Sequence, residues 1–398
     1  MAILHLLSKT SSFPHISKPH SIFSTVSLFS TSFLITKTPK KFKKKRNKKE
    51  SPRTKPIQTQ PNRIPHFESI LLRDAHFRFL TKTKTYLSKQ PHQILPLDAA
   101  GKLHHQLGFP RGRKALKSLL RHPLIFQTYR HTDGKIWVGF TDLMDGLLRE
   151  EQAIQNEYER QRVDVVRKLL MMSANNRIPL SKIYHNRLLF GIPEDFRDRV
   201  ANYPDYFKVV VEDGGKRILE LVNWDDNLAV SALEKEFLVD EEKVKRALRF
   251  PVKHYKELEL DLDDERRLNV LNTLPLVSPY SDGSKLDLWT LEAEKYRVGV
   301  VHEFLSLTLE KRAYIHNIVE FKEELSLARQ TYGMLLKQDR TFYLAGTEMN
   351  WCVFLKDAYG EDGEIVDKDP QVVFNEKVYK YADMRESESE LECDVEQN

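Results

Sequence analysis

Between Ala99 and Thr132 the chain carries no Asp or Glu, yet it places Lys102, Arg111, Arg113, Lys114, Lys117, Arg121 and Arg130 there, with four histidines among them. Nothing in this set pairs a nucleophile with a base. His104 and His105 are adjacent, so on a helix they point about 100° apart and make a poor metal pair. The chemistry open to such residues is charge neutralisation. Like charges three or four positions apart on a helix repel by a few tenths of a kcal/mol, and a polyanion laid along them removes that repulsion while releasing its own condensed counterions. The residues are therefore suited to phosphates. The competing reading is a solvated basic face that only keeps the protein soluble. The spacing predicts a short amphipathic helix that hides Leu116, Leu119 and Leu120 and shows Arg113, Lys114, Lys117 and Arg121. Tyr129, on a strand beside Arg130, is a candidate for stacking on bases, a contact of about 1 to 3 kcal/mol. Phe126 and Trp137 read more as core residues than as stacking ones. Lys82 and Lys84, with Arg73, Arg78 and Lys89, form a second basic group on the preceding helix. The candidate contact set is Lys82, Lys84, Arg111, Arg113, Lys114, Lys117, Arg121, Tyr129 and Arg130.

The net charge of +6 conceals an asymmetry: residues 1–149 hold 28 Lys and Arg against 7 Asp and Glu, whereas the remainder holds 35 against 50. Catalytic signatures are missing. There is no phosphate-binding P-loop, no GxGxxG opening a helix, no HExxH and no GxSxG. The acidic run ELELDLDDE, Glu257 to Glu265, is contiguous and reads as a solvated loop, since two-metal sites draw carboxylates from separate elements. Cys352 and Cys393 are too few and too far apart for a disulfide framework or a CxxC metal site. No cofactor or metal is expected, and no window is apolar enough for a membrane span. The first 49 residues lack Asp and Glu, and nine Ser and five Thr stand before residue 39. Such a composition predicts an organelle transit peptide running into a basic linker. A disordered basic tail, or a nuclear localisation signal made of Lys40 to Lys49, is the competing reading.

The elements that must carry the basic residues recur along the chain. LGFPRGRKALKSLLRHPLIFQTYRHTDGKIWVGFTD and LFGIPEDFRDRVANYPDYFKVVVEDGGKRILELVNWD each run from a Pro through a short helix to Pro-x-x-Phe and a hairpin turning on Asp-Gly. A fainter third copy is YGMLLKQDRTFYLAGTEMNWCVFLKDAYG. A unit of this size cannot close a core alone. The expected fold is α+β and mostly helical, with three helix-plus-β-hairpin, winged-helix-like repeats packed into one elongated body. LAVSALEKEF, DERRLNVLNTL and VGVVHEFLSLTLEKRAYIHNIVEFKEELSLA read as further helices, and PLVSPYSDGS as an ordered loop. The second copy holds seven acids against five bases between Leu189 and Asn223, and its matching helix is EDFRDRV. The scaffold repeats while its charge does not, so the first copy is the expected reader.

The stretch RDAHFRFLTKTKTYLSKQPHQILPLDAAGKLHHQLGFPRGRKALKSLLRHPLIFQTYR, together with LPLVSPYSDGSKLDL, EAEKYRVGVVHEFLSLTLEKR and VFLKDAYG, resembles the plant organelle RNA recognition (PORR) family. The resemblance implies a plant protein imported into mitochondria or chloroplasts that binds RNA, assists splicing of group II introns and is not an enzyme. The layout is then a leader and basic linker over 1–50, a linker over 51–65, an RNA-binding domain over 66–385 with units near 99–149, 178–230 and 300–360, and an acidic tail over 386–398. The lack of Arg before Arg46 leans toward plastids, whereas much of the family is mitochondrial. Organelle RNA is the expected partner, with other splicing factors reached through the acidic C-terminal part. An interaction scaffold and a ribosome-associated RNA factor without an intron target are the competing functions. Gln338-Asp339-Arg340 stands where the family repeats an Arg-His-Pro segment, which again favours the first copy as the reader.

Overall fold

The structure is a computed structural model, and it describes residues 63–248, 274–287, 290–327, 331–338, 340–347 and 350–384. The expected leader, linker residues 51–62, the acidic run, residues 264–273 of one expected helix, Cys393 and the acidic tail lie outside the described residues.

Helix predominates, and the strands fall into three small antiparallel sheets. Helix α1 (Pro65–Leu87) opens on a proline, whose missing N–H costs nothing at that position, with Glu68 in its first turn and Lys84 in its last. Strand β1 (Leu95–Pro96) runs straight into α2 (Leu97–Lys102), and α3 (Ala115–Leu119) precedes the hairpin of β2 (Phe126–Arg130) and β3 (Ile136–Phe140). Two longer helices follow, α4 (Asp142–Glu157), capped by the Thr141 hydroxyl, and α5 (Glu159–Met172). The second sheet takes β4 (Arg177–Pro179), β5 (Phe207–Val211) and β6 (Arg217–Leu221), with α6 (Leu180–His185) and α7 (Phe196–Arg199) between β4 and β5. Beyond it lie α8 (Ala232–Val239), α9 (Glu241–Ala247) and α10 (Leu291–Leu307). The third sheet takes β7 (Arg312–Tyr314), β8 (Phe342–Ala345) and β9 (Cys352–Leu355), with α11 (Ile315–Glu320) and α12 (Thr331–Lys337) ahead of its hairpin. Helix α13 (Pro370–Asp383) completes the described chain.

In each sheet the second hairpin strand is central, flanked by the short early strand and by the first hairpin strand. The turns explain why the hairpins form where they do. Gly134 at φ +75° and Gly214 and Gly215 at +89° and +78° occupy the left-handed region that glycine enters at no steric cost. The register pairs Phe126 with Phe140, Gln127 with Gly139, Thr128 with Val138 and Tyr129 with Trp137. Alternation therefore turns Phe126, Val138 and Phe140 toward the core, and Gln127, Tyr129, Trp137 and Gly139 toward the other face.

Three cores result. The first joins the C-terminal half of α1, the inner face of the first sheet, α4 and, from the far end of the chain, Phe374, Val378 and Ala382 of α13. The second and largest surrounds α5 and α10. The third packs Phe67 of α1 against Tyr343 and Phe354. Asp369 both caps α13, accepting from the Gln371 N–H, and receives two guanidinium N–H groups of Arg162 at 2.7 and 2.8 Å. Arg312, 7% exposed, lies between Asp74, at 2.6 Å, and Glu310. The loop PLVSPYSDGS is ordered as expected: Tyr280 is buried in it and donates to the Glu303 carboxylate at 2.6 Å.

Candidate nucleic-acid interface

The helix expected to carry the basic face is only five residues long. Its start is delayed because Lys114 occupies the N-cap without a capping hydrogen bond, and cations at a helix N-terminus oppose the dipole. It ends before His122-Pro123, since a residue preceding proline is driven out of the helical region. Arg111, Arg113 and Lys114 therefore sit on the approach to α3, Lys117 on it, and Arg121 just beyond. Leu119 is buried, but Leu120, expected beside it in the core, is 58% exposed because the helix has already ended. The approach is held in shape by short bonds: the Arg113 N–H donates to the Pro110 carbonyl at 3.2 Å, and the His104 ring meets the Arg113 carbonyl at 2.9 Å. Gly112 turns there at φ +76°.

Helix α1 lies against this segment. Phe79 stacks on Phe109 at 5.7 Å and tilts toward His122 at 5.2 Å. One turn on, the aliphatic stem of Lys82 crosses Gly108 so closely that a Cβ there would stand 3.0 Å from it. Lys82 thus borders the Gly108–Lys114 segment. His122 is buried, bonded through Nδ1 to the Ala382 carbonyl at 2.6 Å, and burial holds its pKa below the ordinary imidazole value. It anchors the segment and is unavailable to a ligand.

Lys82, Arg111, Arg113, Lys114, Lys117, Arg121 and Arg130 are all exposed. Among the described residues none of the seven has an acidic partner within 4.0 Å. Lys84 departs from the expectation. Four residues beyond Leu80 and three before Leu87, it falls on the buried stripe of α1, where its ammonium contacts Glu151 of α4 at 2.7 and 2.8 Å and lies 5.3 Å from the centre of the Phe374 ring. Its charge is already compensated. Elsewhere paired cations abound: Arg199 binds Glu159 and Asp195 at 2.6 and 2.7 Å, Arg177 binds Glu220 at 2.8 Å, and Lys182 binds Glu324 at 2.7 Å.

Tyr129 is half-buried on the outer face of the first sheet, and Trp137, assigned from sequence to the core, lies opposite it there. Phe126 is in the core as expected, 3% exposed. Counting outward from the Asp133-Gly134 turn pairs Trp137 with Tyr129, and that count was the available signal. Cys352 is buried and its thiol is pushed up to about 12, which makes it an inert core residue. Among the described residues no cluster of His, Cys, Asp and Glu could hold a metal ion, and no helix is long and apolar enough to cross a membrane.

The family model of the plant organelle RNA recognition domain matches residues 62–387. Protein WHAT'S THIS FACTOR 1 homolog, chloroplastic, from Oryza sativa subsp. japonica is 35% identical over 78% of this chain and 63% of its own length. Protein WHAT'S THIS FACTOR 1, chloroplastic, from Zea mays is 34% identical over 78% of this chain and 64% of its own. Protein WHAT'S THIS FACTOR 9, mitochondrial, from Arabidopsis thaliana is 26% identical, covering 76% and 79%. The chain spans less than two thirds of the length of the first two relatives. No solved structure matches it.

Proposed function

The chain belongs to the plant organelle RNA recognition family, and on that premise we propose that it is a non-catalytic RNA-binding protein of a plant organelle that assists group II intron splicing by holding intron RNA in a competent shape. The observation that carries this reading is the division of its cations. Many of those around α5, α6 and α7, Arg162, Arg177, Lys182 and Arg199 among them, are paired with the protein's own carboxylates, while the seven around α3 are exposed and left without an acid among the described residues. Crowded like charges repel one another, and phosphates supply the missing counter-charge. RNA helices would be held by shape and backbone, and loops by stacking.

The identical strand order of the three sheets supports reading them as three winged-helix-like units, near 99–149, 178–230 and 300–360, within one RNA-binding domain over 66–385. The first is the RNA reader and the other two brace it. Residues 1–50 act as the import leader, an assignment in keeping with relatives named chloroplastic and mitochondrial, and the acidic tail over 386–398 serves protein partners. The test is to purify the protein from organelles and sequence the RNA bound to it. Enrichment of intron-containing precursors is expected. Recovery of proteins without RNA would replace this reading with that of an interaction scaffold, and recovery of ribosomal RNA alone with that of a ribosome-associated factor.

A further inference from the structure

Resting on the RNA-binding reading, we propose that the outer face of the first sheet is a stacking platform for unpaired bases of single-stranded RNA, built from Tyr129 and Trp137 and distinct from the phosphate-binding edge around α3. The three sheets share one strand order, so equivalent positions can be compared directly. Where the first sheet pairs Tyr129 with Trp137, the second pairs Val210 with Ile218 and the third Ala345 with Cys352. Where the first has Gly139, the second has Glu220 and the third Phe354. In the second sheet this face is crossed by the Arg177–Glu220 pair at 2.8 Å. In the third it is covered by the start of α1, with Phe67 packed 4.8 Å from the Phe354 ring. In the first, neither Tyr129 nor Trp137 joins a hydrophobic cluster among the described residues, and both are half-buried.

The two rings are held in place by the strands themselves. A Cβ on Gly139 would come within 3.7 Å of Tyr129 Cε1 and 3.4 Å of Ile94 Cγ2. These are ordinary contact distances, so the Tyr129 ring and Ile94 both lie against the strand at Gly139, which is buried. The Trp137 indole N–H donates to the Asp133 carboxylate at 3.2 Å, and the His131 ring stands 5.1 Å away. Tying the indole by its edge restrains its orientation through a bond that does not involve its π-face, the surface on which a base can stack and near which the His131 ring also packs. Asp133 is occupied by the hairpin: it accepts from the Lys135 N–H at 2.9 Å and lies 3.7 Å from His131, and these contacts keep its carboxyl below the usual range. Exposed Lys135 lies on the ring side of the hairpin, two positions from Trp137, while exposed Arg130, paired with Ile136, stands at the sheet's end on the opposite side, and neither has an acidic partner within 4.0 Å among the described residues. That surround suits the phosphates of a strand whose bases are on the rings. A duplex keeps its bases stacked on one another and gains nothing from such a face.

The test uses the full chain and two probes, an unstructured RNA of about 12 nucleotides, within the range one small sheet can engage, and a duplex of the same sequence. Tyr129→Leu and Trp137→Leu are each expected to weaken single-strand binding about fivefold or more at every salt concentration, with the salt slope and duplex affinity unchanged. Tyr129→Phe, which keeps the ring, should stay within about twofold of the parent. The platform is refuted if both Leu variants keep their single-strand affinity, or if they lose duplex affinity equally. Should a Leu variant fail to fold, ultraviolet crosslinking of the parent protein to the single strand decides, with adducts on Tyr129 or Trp137 supporting the platform and adducts confined to other residues overturning it. If removing the charges around α3 weakens RNA while these substitutions do not, only the platform fails. If the parent protein binds neither probe, the RNA-binding reading itself falls.

Discussion

Replacing Arg113, Lys114, Lys117 and Arg121 together by Gln removes four of the exposed charges while leaving the buried Ala115 and Leu119 untouched. None of the four has an acidic partner among the described residues, and the bond from His104 is to the Arg113 backbone carbonyl, which survives the change. Stability should therefore move by less than about 0.5 kcal/mol, and upward if relieved repulsion dominates. Each phosphate contact to a single strand contributes about −0.7 to the log-log salt slope, rising to about −0.9 for B-form duplex DNA. Four lost contacts thus flatten the slope by about 2.8 to 3.6 units. Between about 50 and 200 mM salt, that is about 1.7 to 2.2 decades of salt-induced weakening that the variant no longer shows. Anisotropy of a labelled RNA across that range measures both slope and affinity, and a drop of about tenfold or more is expected at the low-salt end. The matched control replaces Arg197, Lys208 and Lys216, three exposed cations near the second sheet. Arg199 is left alone because its two carboxylate bonds make it structural. Equal losses in the two variants would refute the reasoning, since RNA would then be contacting both surfaces alike.

Lys82→Gln and Lys84→Gln should separate cleanly: the first weakens RNA binding with little change in melting temperature, and the second leaves RNA binding intact but destabilises by roughly 1 to 3 kcal/mol, because Glu151 loses its ammonium partner in a largely buried setting and keeps the Gln371 amide at 3.1 Å. Asp369→Ala strands the Arg162 guanidinium, whose side chain is 7% exposed, and uncaps α13. A loss of about 3 to 5 kcal/mol is expected in denaturant titration, and a loss under about 1 kcal/mol would deny the pair its structural role. His122 and His302 are buried with pKa values lowered by desolvation, His302 to about 3. Burial favours the neutral form of both rings, so the unfolded chain binds more protons than the fold. The contribution of His302 is whole above about pH 6.5 and is lost as pH falls toward about 3, by up to roughly 1.4 kcal/mol per pH unit, and that of His122 is lost in the same direction. Melts at decreasing pH should show this acid loss, and His302→Gln should make it shallower.

The hairpins were legible because Asp-Gly turns and Pro-x-x-Phe are local signals, and Gly134 and Gly214 sit in the left-handed conformation such turns require. The cationic segment was legible because an acid-free stretch is visible without any fold. The length of α3 was less so: the leucine spacing pointed to a longer helix, and the uncapped Lys114 and the His122-Pro123 step cut it short, exposing Leu120. Lys84 was misplaced because sequence groups it with Lys82, two positions away. On a helix those positions diverge, and only the arrival of α4 and α13 shows that one side meets Glu151 and Phe374. The first core's dependence on Phe374, more than two hundred residues downstream of the hairpin it covers, is a long-range packing fact that no window of sequence contains.

An antiparallel sheet of three short strands buries one face against its own helices and can leave the other to solvent, so what lies on that other face distinguishes the three sheets. The third sheet's outer face is covered by α1, which brings Phe67 onto Phe354 and Tyr343. The second's carries the Arg177–Glu220 pair beside Val210 and Ile218. Covering the first sheet in the same way would need another helix, but α1 continues from the third sheet into the core beneath the first, contributing Phe77, Leu80 and Leu87 to its inner side. One helix thus buries the outer side of one sheet and the inner side of another. The first sheet's outer face has no such helix over it: Tyr129 and Trp137 are half-buried there, with Ile94 against Gly139 and the exposed Lys135 beside them. Two half-buried rings cost little in water, so the platform rests on their pairing and not on any need to cover them. That the aromatic pair and the unpaired cations belong to the same sheet's surroundings is why one physical cause, contact with a flexible polyanion bearing flat bases, accounts for both.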